Sequence, residues 1–430
     1  MRSENSQQGS QESKQKRLLL LCTTTGYQTR AFVEAAEKLG LEIAFGSDRC
    51  RKLDDPWQDG ALPLRFENPS EAARSVVDYA RSHPLDALAA LGDRATPTAA
   101  LACRELGLAY NSPEATEACR DKYRSRRRLE AAGLKVPPFR RFSIDENPQT
   151  LASGVEFPCV LKPLALSGSR GVIRADNPPE FIAAFARIKS LLLSPGVQVL
   201  RERTSRFLQV ERFIDGREYA LEGLLMEGGL KVLALFDKPD PLEGPYFEET
   251  LYVTPSRLGP DDQQRIVEAV QKATAALGLS HGSVHAEARL NAEGVWILEV
   301  AARSIGGLCA RSLRFEQGMS LEELILRQAL GEDVSEVRRE HAASGVMMIP
   351  IPHEGIYEGV EEEEEAGRTP GVEEIRITAK PLQKLVPLPE GASYLGFIFS
   401  RADTPAKVEE SLRQAHKMLR FRISPVLQVM

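Results

Sequence analysis

The sequence predicts three folded units in one chain of 430 residues: an α/β N-terminal domain with a doubly wound parallel sheet, a larger α+β unit, and a small α+β C-terminal module. Three observations carry this. Over residues 17–115, short apolar runs alternate with helical patterns, as in a parallel sheet wrapped by helices. From 157 to 303, strand patterns follow one another across tight turns, as in an antiparallel sheet. From about residue 342 the pattern restarts as short strands with one closing helix.

Composition narrows the function classes. Hydrophobic residues make up 42% and charged residues 27%, ordinary for a globular chain. The net charge of −6 gives a nucleic-acid partner no electrostatic support. Six cysteines without a CxxC pair argue against zinc and against a disulfide framework, and fit a reducing, cytoplasmic setting. No apolar run is long enough for a membrane span, and the polar N-terminus lacks a signal-peptide core. Small-molecule partners are expected, with a homodimer as the default assembly.

Residues 1–16 are almost wholly polar and predict a disordered tail. The run 17–22 (RLLLLC) predicts a buried strand, followed by a helix over 29–39, a strand over 41–45, a helix over 72–82, a strand over 87–91 and a helix over 98–106. The turn Thr23-Thr24-Thr25-Gly26 invites a dinucleotide reading, but no GxGxxG is present. The first domain is expected to end near 115 and the second to run over 116–340. Asp121-Lys122-Tyr123 opens a helix that Gly133 stops. Its Arg124, Arg126, Arg127 and Arg128 read as a solvated or phosphate-facing side. The strand 157–163 ends on Lys162-Pro163 and leads into Ser167-Gly168-Ser169-Arg170-Gly171. Such a loop offers free backbone N–H groups that can wrap a phosphate beside a lysine, or it is a plain hairpin turn. A helix over 181–192 follows. Glu211 and Glu218 then lie seven apart across the turn Asp215-Gly216, between strands over 208–214 and 218–226. A strand over 231–236 and a helix over 260–277 complete the approach to a hairpin.

That hairpin spans 283–303. Ala292-Glu293-Gly294 has the form of a three-residue loop, which places Glu287 opposite Glu299. Alternation then puts His285, Glu287, Arg289, Glu299 and Arg303 on one face. The other face receives Val284, Ala286, Ala288, Leu290, Trp296, Leu298, Val300 and Ala302. Facing carboxylates repel unless a proton or cation lies between them, and hard divalent cations prefer oxygen ligands. The competing reading is an antiparallel hairpin with one solvated face. A helix over 321–330 follows, and the terminal module over 341–430 carries strands over 345–351, 372–378, 394–400 and 421–423, an acidic loop over 361–365 and a helix over 405–419.

The ordered set Lys122, Lys162 with its glycine loop, Glu211, Glu218, Glu287, Glu299 and Arg303 resembles the ATP-grasp superfamily. Within it, residues 236–256 (FDKPDPLEGPYFEETLYVTPS) and 395–419 (LGFIFSRADTPAKVEESLRQAHKML) look like the L-amino acid ligase group of carboxylate–amine ligases. The resemblance implies an ATP-grasp fold over 116–340, with a lid subdomain at about 150–215. It implies a ligase using ATP and Mg²⁺, with Mn²⁺ as a substitute, that activates a carboxylate as an acyl phosphate for attack by an amine. By resemblance, Lys122 and Lys162 would hold the phosphates under the lid loop formed by Ser167, Gly168, Ser169 and Gly171. Glu211 would take the adenine amino group, the backbone of Ile214 a ring nitrogen, and Glu218 the ribose. Glu287 and Glu299 would carry the metal, and Arg303 with residues 304–307 would grip the carboxylate substrate. Many members have Asn where this chain has Ala301, which leaves the number of magnesium ions open. His285 is positioned to take a proton from the amine or to orient a substrate; alternatively it is hydrogen-bonded within the sheet. Arg289 and Arg311 are further candidates for anion contacts. Two other functions fit the same set: a biotin-carboxylase-like enzyme that phosphorylates bicarbonate, although Ala415-His416-Lys417-Met418 is no carrier motif, and an ATP-binding scaffold without catalysis.

Overall fold

A computed structural model describes residues 15–23, 28–48 and 61–426. The expected tail, apart from residues 15 and 16, and most of the turn 23–26 lie outside them. The N-terminal sheet has four parallel strands in the order Leu62–Pro63, Glu42–Ser47, Arg17–Cys22, Ala87–Leu91. Leu18, Leu19, Leu20 and Leu21 are all fully buried because helices cover both faces. Leu18 and Leu20 pack with Phe32 of helix Thr29–Lys38, and Leu19 and Leu21 with Val76 and Ala99 of helices Pro69–Ser82 and Thr96–Leu106.

The second unit is two antiparallel sheets facing a common cleft. The smaller holds Phe139–Ser143, Phe207–Arg212, Cys159–Pro163 and Ile173–Ala175 in that order, backed by helix Pro178–Leu193. The larger has eight strands: Gly294–Ala301, Gly282–Asn291, Arg217–Met226, Gly229–Asp237, Leu251–Thr254, Ala343–Ile349, Gly396–Ala402 and Val372–Ile377. Its last three strands come from beyond residue 341, so the terminal module extends the central sheet directly. Leu251–Thr254 makes the join; all four of its residues are buried, so it lacks the alternation that marks a strand in sequence. The acidic run also differs from expectation: Glu363–Gly367 is a short helix that buries Ala366.

The hairpin reaches its expected register by another route. Asn291 pairs with Gly294, so the loop has two residues, Ala292 and Glu293. Uncorrected, that pairing would have set Glu287 against Leu298. A bulge between Glu287↔Glu299 and Ala288↔Ile297 inserts Leu298 as the extra residue and returns Glu299 to the polar face. Two expected face assignments change as a result. Trp296 leaves the core face, stands opposite Arg289 and donates its Nε1–H to Asn291 Oδ1 at 3.2 Å. Leu298 turns into the cleft. The Leu298 carbonyl at the bulge accepts from Arg126 Nη2 at 2.5 Å.

Candidate active site

The cleft between the two antiparallel sheets holds about 1300 Å³ of empty space and opens to solvent. Lys122, Lys162, Ser167, Gly168, Ser169, Glu211, Ile214, Glu218, His285, Glu287, Glu299 and Arg303 all line it. Gly171 does not. Its φ of +74° and the 2.7 Å between a notional Cβ and Pro163 Cγ explain the glycine as a packing requirement. Its N–H donates to Pro389 O at 2.8 Å.

Lys122 begins helix Lys122–Ala131, whose N-cap Asp121 accepts from the N–H groups of Tyr123 and Arg124. Its Nζ donates to Leu166 O at 2.8 Å and lies 3.4 Å from Glu299 Oε2, joining the glycine loop to the hairpin. One turn on, Arg126 is 1% exposed, the reverse of a solvated helix side. Its guanidinium holds Glu211 through Nε at 2.6 Å and Nη2 at 3.4 Å. Lys162 Nζ binds the same carboxylate, as does Gln209 Nε2 at 2.6 Å. Four donors fill the four lone-pair sites of Glu211, so it has no acceptor left for an adenine amino group; its place is to hold Lys162. Burial opposes charge on Glu211, but Arg126 and Lys162 outweigh it and hold the carboxyl at about 2. Burial pulls Lys162 down to about 8 against the attraction of Glu211. In direct contact with two cations, Glu211 stays ionised, and the pair is charged at neutral pH.

Beyond this triad the cleft is apolar, lined by Val160, Val172, Phe213, Leu242, Phe247 and Leu298. Ile214 lies at its edge, and among the described residues its N–H has no hydrogen-bond partner. Its carbonyl accepts from Arg289 Nη1 at 2.5 Å. Arg289 is spent inside the protein, on Glu218 Oε2 at 3.0 Å and on the Ile214 and Leu242 carbonyls. Arg311 pairs with Glu374 and does not line the cleft. Neither arginine is free for an anion.

Sequence reasoning missed Lys238. Its buried Nζ lies 2.8 Å from Glu218 and 3.2 Å from Glu287, contacts Glu249, and stands 5.0 Å from the centre of the Tyr252 ring. Oxygens of Glu218, Glu249 and Glu287 lie within 4.8 Å of one another, but the ammonium already serves as their cation. Burial pushes Glu249 up to about 7, whereas Lys238 and His285 overcome burial and hold Glu287 well below the usual carboxylate range. Glu287, which Lys238 and His285 also face, stands beside Glu299 across the hairpin, and Lys122 faces Glu299, so the two carboxylates offer oxygens of the kind a divalent ion prefers.

His285 joins both readings given for it: it is bonded within the sheet and still lines the cleft. Nδ1 is 3.1 Å from the fully buried Glu222, and Nε2 faces Glu287 Oε1 at 3.6 Å. Burial disfavours its charge, but the two carboxylates prevail and raise it to about 9. Arg303 is held by Asp93 at 3.0 Å and by its own neighbour's carbonyl, Ser304 O, at 2.9 Å. Asp93 follows strand Ala87–Leu91 of the first domain, so two domains build the site. Signals for the missed residues existed. Asp93 lies at the carboxyl end of a parallel strand, Arg126 is four residues after Lys122, and Glu222 interrupts an apolar run.

Residues 155–312 match the ATP-grasp domain family, 33–109 the ATP-grasp N-terminal domain, and 347–424 the L-amino acid ligase C-terminal domain 2. The chain is 24% identical over 416 residues to an uncharacterized protein, y4rH, of Sinorhizobium fredii, covering 96% of this chain and 84% of that one. It is 29% identical over 317 residues to the alanine–anticapsin ligase of Bacillus subtilis, covering 69% of this chain and 66% of the relative, so the match spans just under two thirds of that enzyme's length. Among solved structures, an L-amino acid ligase from Bacillus licheniformis superposes with a TM-score of 0.77 at 27% identity, over 95% of this chain and 99% of the other.

Proposed function

We propose that this chain, which belongs to the ATP-grasp superfamily and within it to the L-amino acid ligase family, joins the carboxylate of an amino acid to another amino acid or amine, using ATP and magnesium and releasing ADP and phosphate. One observation carries this reading. A single cleft joins an apolar slot, Lys162, Lys122, the facing Glu287 and Glu299, Arg303 and residues 305–307.

A carboxylate is a poor electrophile until phosphorylated, and phosphoryl transfer asks the protein mainly for positioning and charge neutralisation. The slot receives the adenine, with the unpaired Ile214 N–H as donor to a ring nitrogen. Glu218, although engaged by Lys238 and Arg289, borders the cleft where the ribose would lie. Lys122, Lys162 and the backbone of residues 167–169 hold the phosphates. Glu287 and Glu299 would hold magnesium, which when bound neutralises phosphate charge. Arg303 binds the substrate carboxylate and steadies the charge that develops as it becomes an acyl phosphate. Closure of the glycine loop keeps water from that intermediate. His285 Nε2 faces the same space beside Glu287 and, kept charged by its two carboxylates, is placed to orient a substrate there. The relative from Bacillus subtilis is an alanine–anticapsin ligase, which favours an amino acid as the activated partner. Among the described residues no helix is long and apolar enough to cross a membrane, and the five described cysteines are all buried.

Screening amino-acid pairs for ADP and phosphate release tests the reading. Turnover should require both co-substrates, and Glu299→Gln should abolish it while leaving the fold intact. AMP and pyrophosphate as products would exclude the acyl-phosphate route. Bicarbonate-dependent turnover without an amine would favour a carboxylase, and nucleotide binding without turnover on any pair a scaffold.

A further inference from the structure

Glu222 touches no part of the cleft and is fully buried within Arg217–Met226. A carboxylate so far from water persists only where donors meet it. Those donors come from two places. His285, its cross-strand neighbour, presents Nδ1 to Oε2 at 3.1 Å. The Ile305 N–H bonds both oxygens, at 3.2 and 3.0 Å. Ile305 lies two residues beyond Arg303, and its carbonyl accepts from Gln28 Nε2 of the first domain at 2.5 Å. On the far side of His285 stands Ala301, whose methyl group offers the ring no competing hydrogen bond. We propose that Glu222 is a positioning residue whose single carboxylate sets both the ring of His285, with Nε2 toward the reacting centre, and the loop that carries Arg303.

The two groups it sets border one reacting centre, so one buried side chain keeps the imidazole and the anion clamp in register. An acceptor-only carboxylate forces Nδ1 to carry hydrogen, which leaves Nε2 for the cleft. The catalytic consequence rests on the ligase reading; the geometry does not.

Glu222→Gln separates this role from plain structural support. Its amide oxygen can still accept from Ile305, but its NH₂ sets a donor against His285 Nδ1. We expect kcat to fall about 100-fold, the cost of misplacing a group beside the chemistry by about an ångström, with the dissociation constant for MgADP within about twofold of wild type because binding groups are untouched. In ¹⁵N spectra without substrates, the ring signals of His285, one of six histidines and assigned by their loss in His285→Asn, should move in Glu222→Gln. Glu222→Asp, too short to reach both donors, serves the same measurements should the first variant fail to fold. A kcat within twofold of wild type, or unmoved ring signals, overturns the proposal. If wild type turns over no amino-acid pair, the ligase reading fails while the ring signals still decide the positioning.

Discussion

Replacing Arg126 by methionine probes the triad beneath the phosphate end of the cleft. Arg126 is 1% exposed and supplies two of the four donors to Glu211, together with the donor to the Leu298 carbonyl. Held at about 2 rather than 4.5, Glu211 favours its charged form by about 3 kcal/mol, a share that Lys162 alone cannot sustain. The Leu298 carbonyl, stranded at the bulge, adds about 1 kcal/mol or more. Together these place the loss near the ~3–5 kcal/mol expected when one partner leaves a buried pair. Urea denaturation of wild type, Arg126→Met, Glu211→Gln and the double variant measures it. The double variant should be more stable than Arg126→Met, since removing the carboxylate's charge relieves the ion left behind, with a coupling of about 2 kcal/mol. The pH dependence has a fixed sign. A carboxyl with a lowered pKa stabilises the fold above its unfolded value of 4.5 and ceases to as pH falls toward 2, so the gap between wild type and variant should narrow below about pH 4.5. A loss under about 1 kcal/mol at pH 7, or additive single losses, would refute the triad as the support of Lys162.

Two further outcomes are expected. Burial pulls Lys162 down to about 8, so MgADP affinity should hold below that pH and weaken above it, by up to about tenfold per unit, as calorimetry over pH 7–9.5 would reveal; a flat profile would remove Lys162 from the phosphate site. The glycine loop is tied to the terminal module by Gly171 N–H to Pro389 O and by Arg170 Nε to Glu390 O at 2.9 Å, and the helix Pro178–Leu193 behind it by the ion pair of Arg187 with Glu390. Glu390→Ala removes the Arg187 pair but leaves both backbone acceptors, and should loosen this latch by about 0.5–1 kcal/mol, given its partial exposure. That is a two- to fivefold rise in lid opening, seen as faster proteolysis at 167–171 and more ATP hydrolysed per amide bond formed; unchanged coupling would mean the latch does not govern closure.

Much of the site was legible in the sequence because strand alternation is strict. His285, Glu287 and Glu299 fall on one face in any register that pairs the two glutamates. The sequence did not reveal how that register arises, since a bulge leaves no compositional mark and a two-residue loop with a bulge mimics a three-residue loop without one. Leu298 and Trp296 were misplaced for that reason. Glu211 and Arg126 were misread for another: their meaning lies in contact across 85 residues, and no local period carries it. Lys238 is a lysine with three carboxylates around it only after four strands have been brought together.

The unbroken ladder from Gly294–Ala301 to Val372–Ile377 bears on recombination between relatives. A crossover at residue 341 would seem a clean place to exchange terminal modules and so to exchange substrates. Here it would cut a shared fabric: Ala343–Ile349 must find Leu251–Thr254 of the host in the register Met347 against Leu251 and Ser344 against Thr254. A slip of one residue would turn Met348, which lines the cleft, to the opposite side. Grafts that carry residues 236–256 along with the donor module keep that seam intact, and they are the chimaeras we expect to fold.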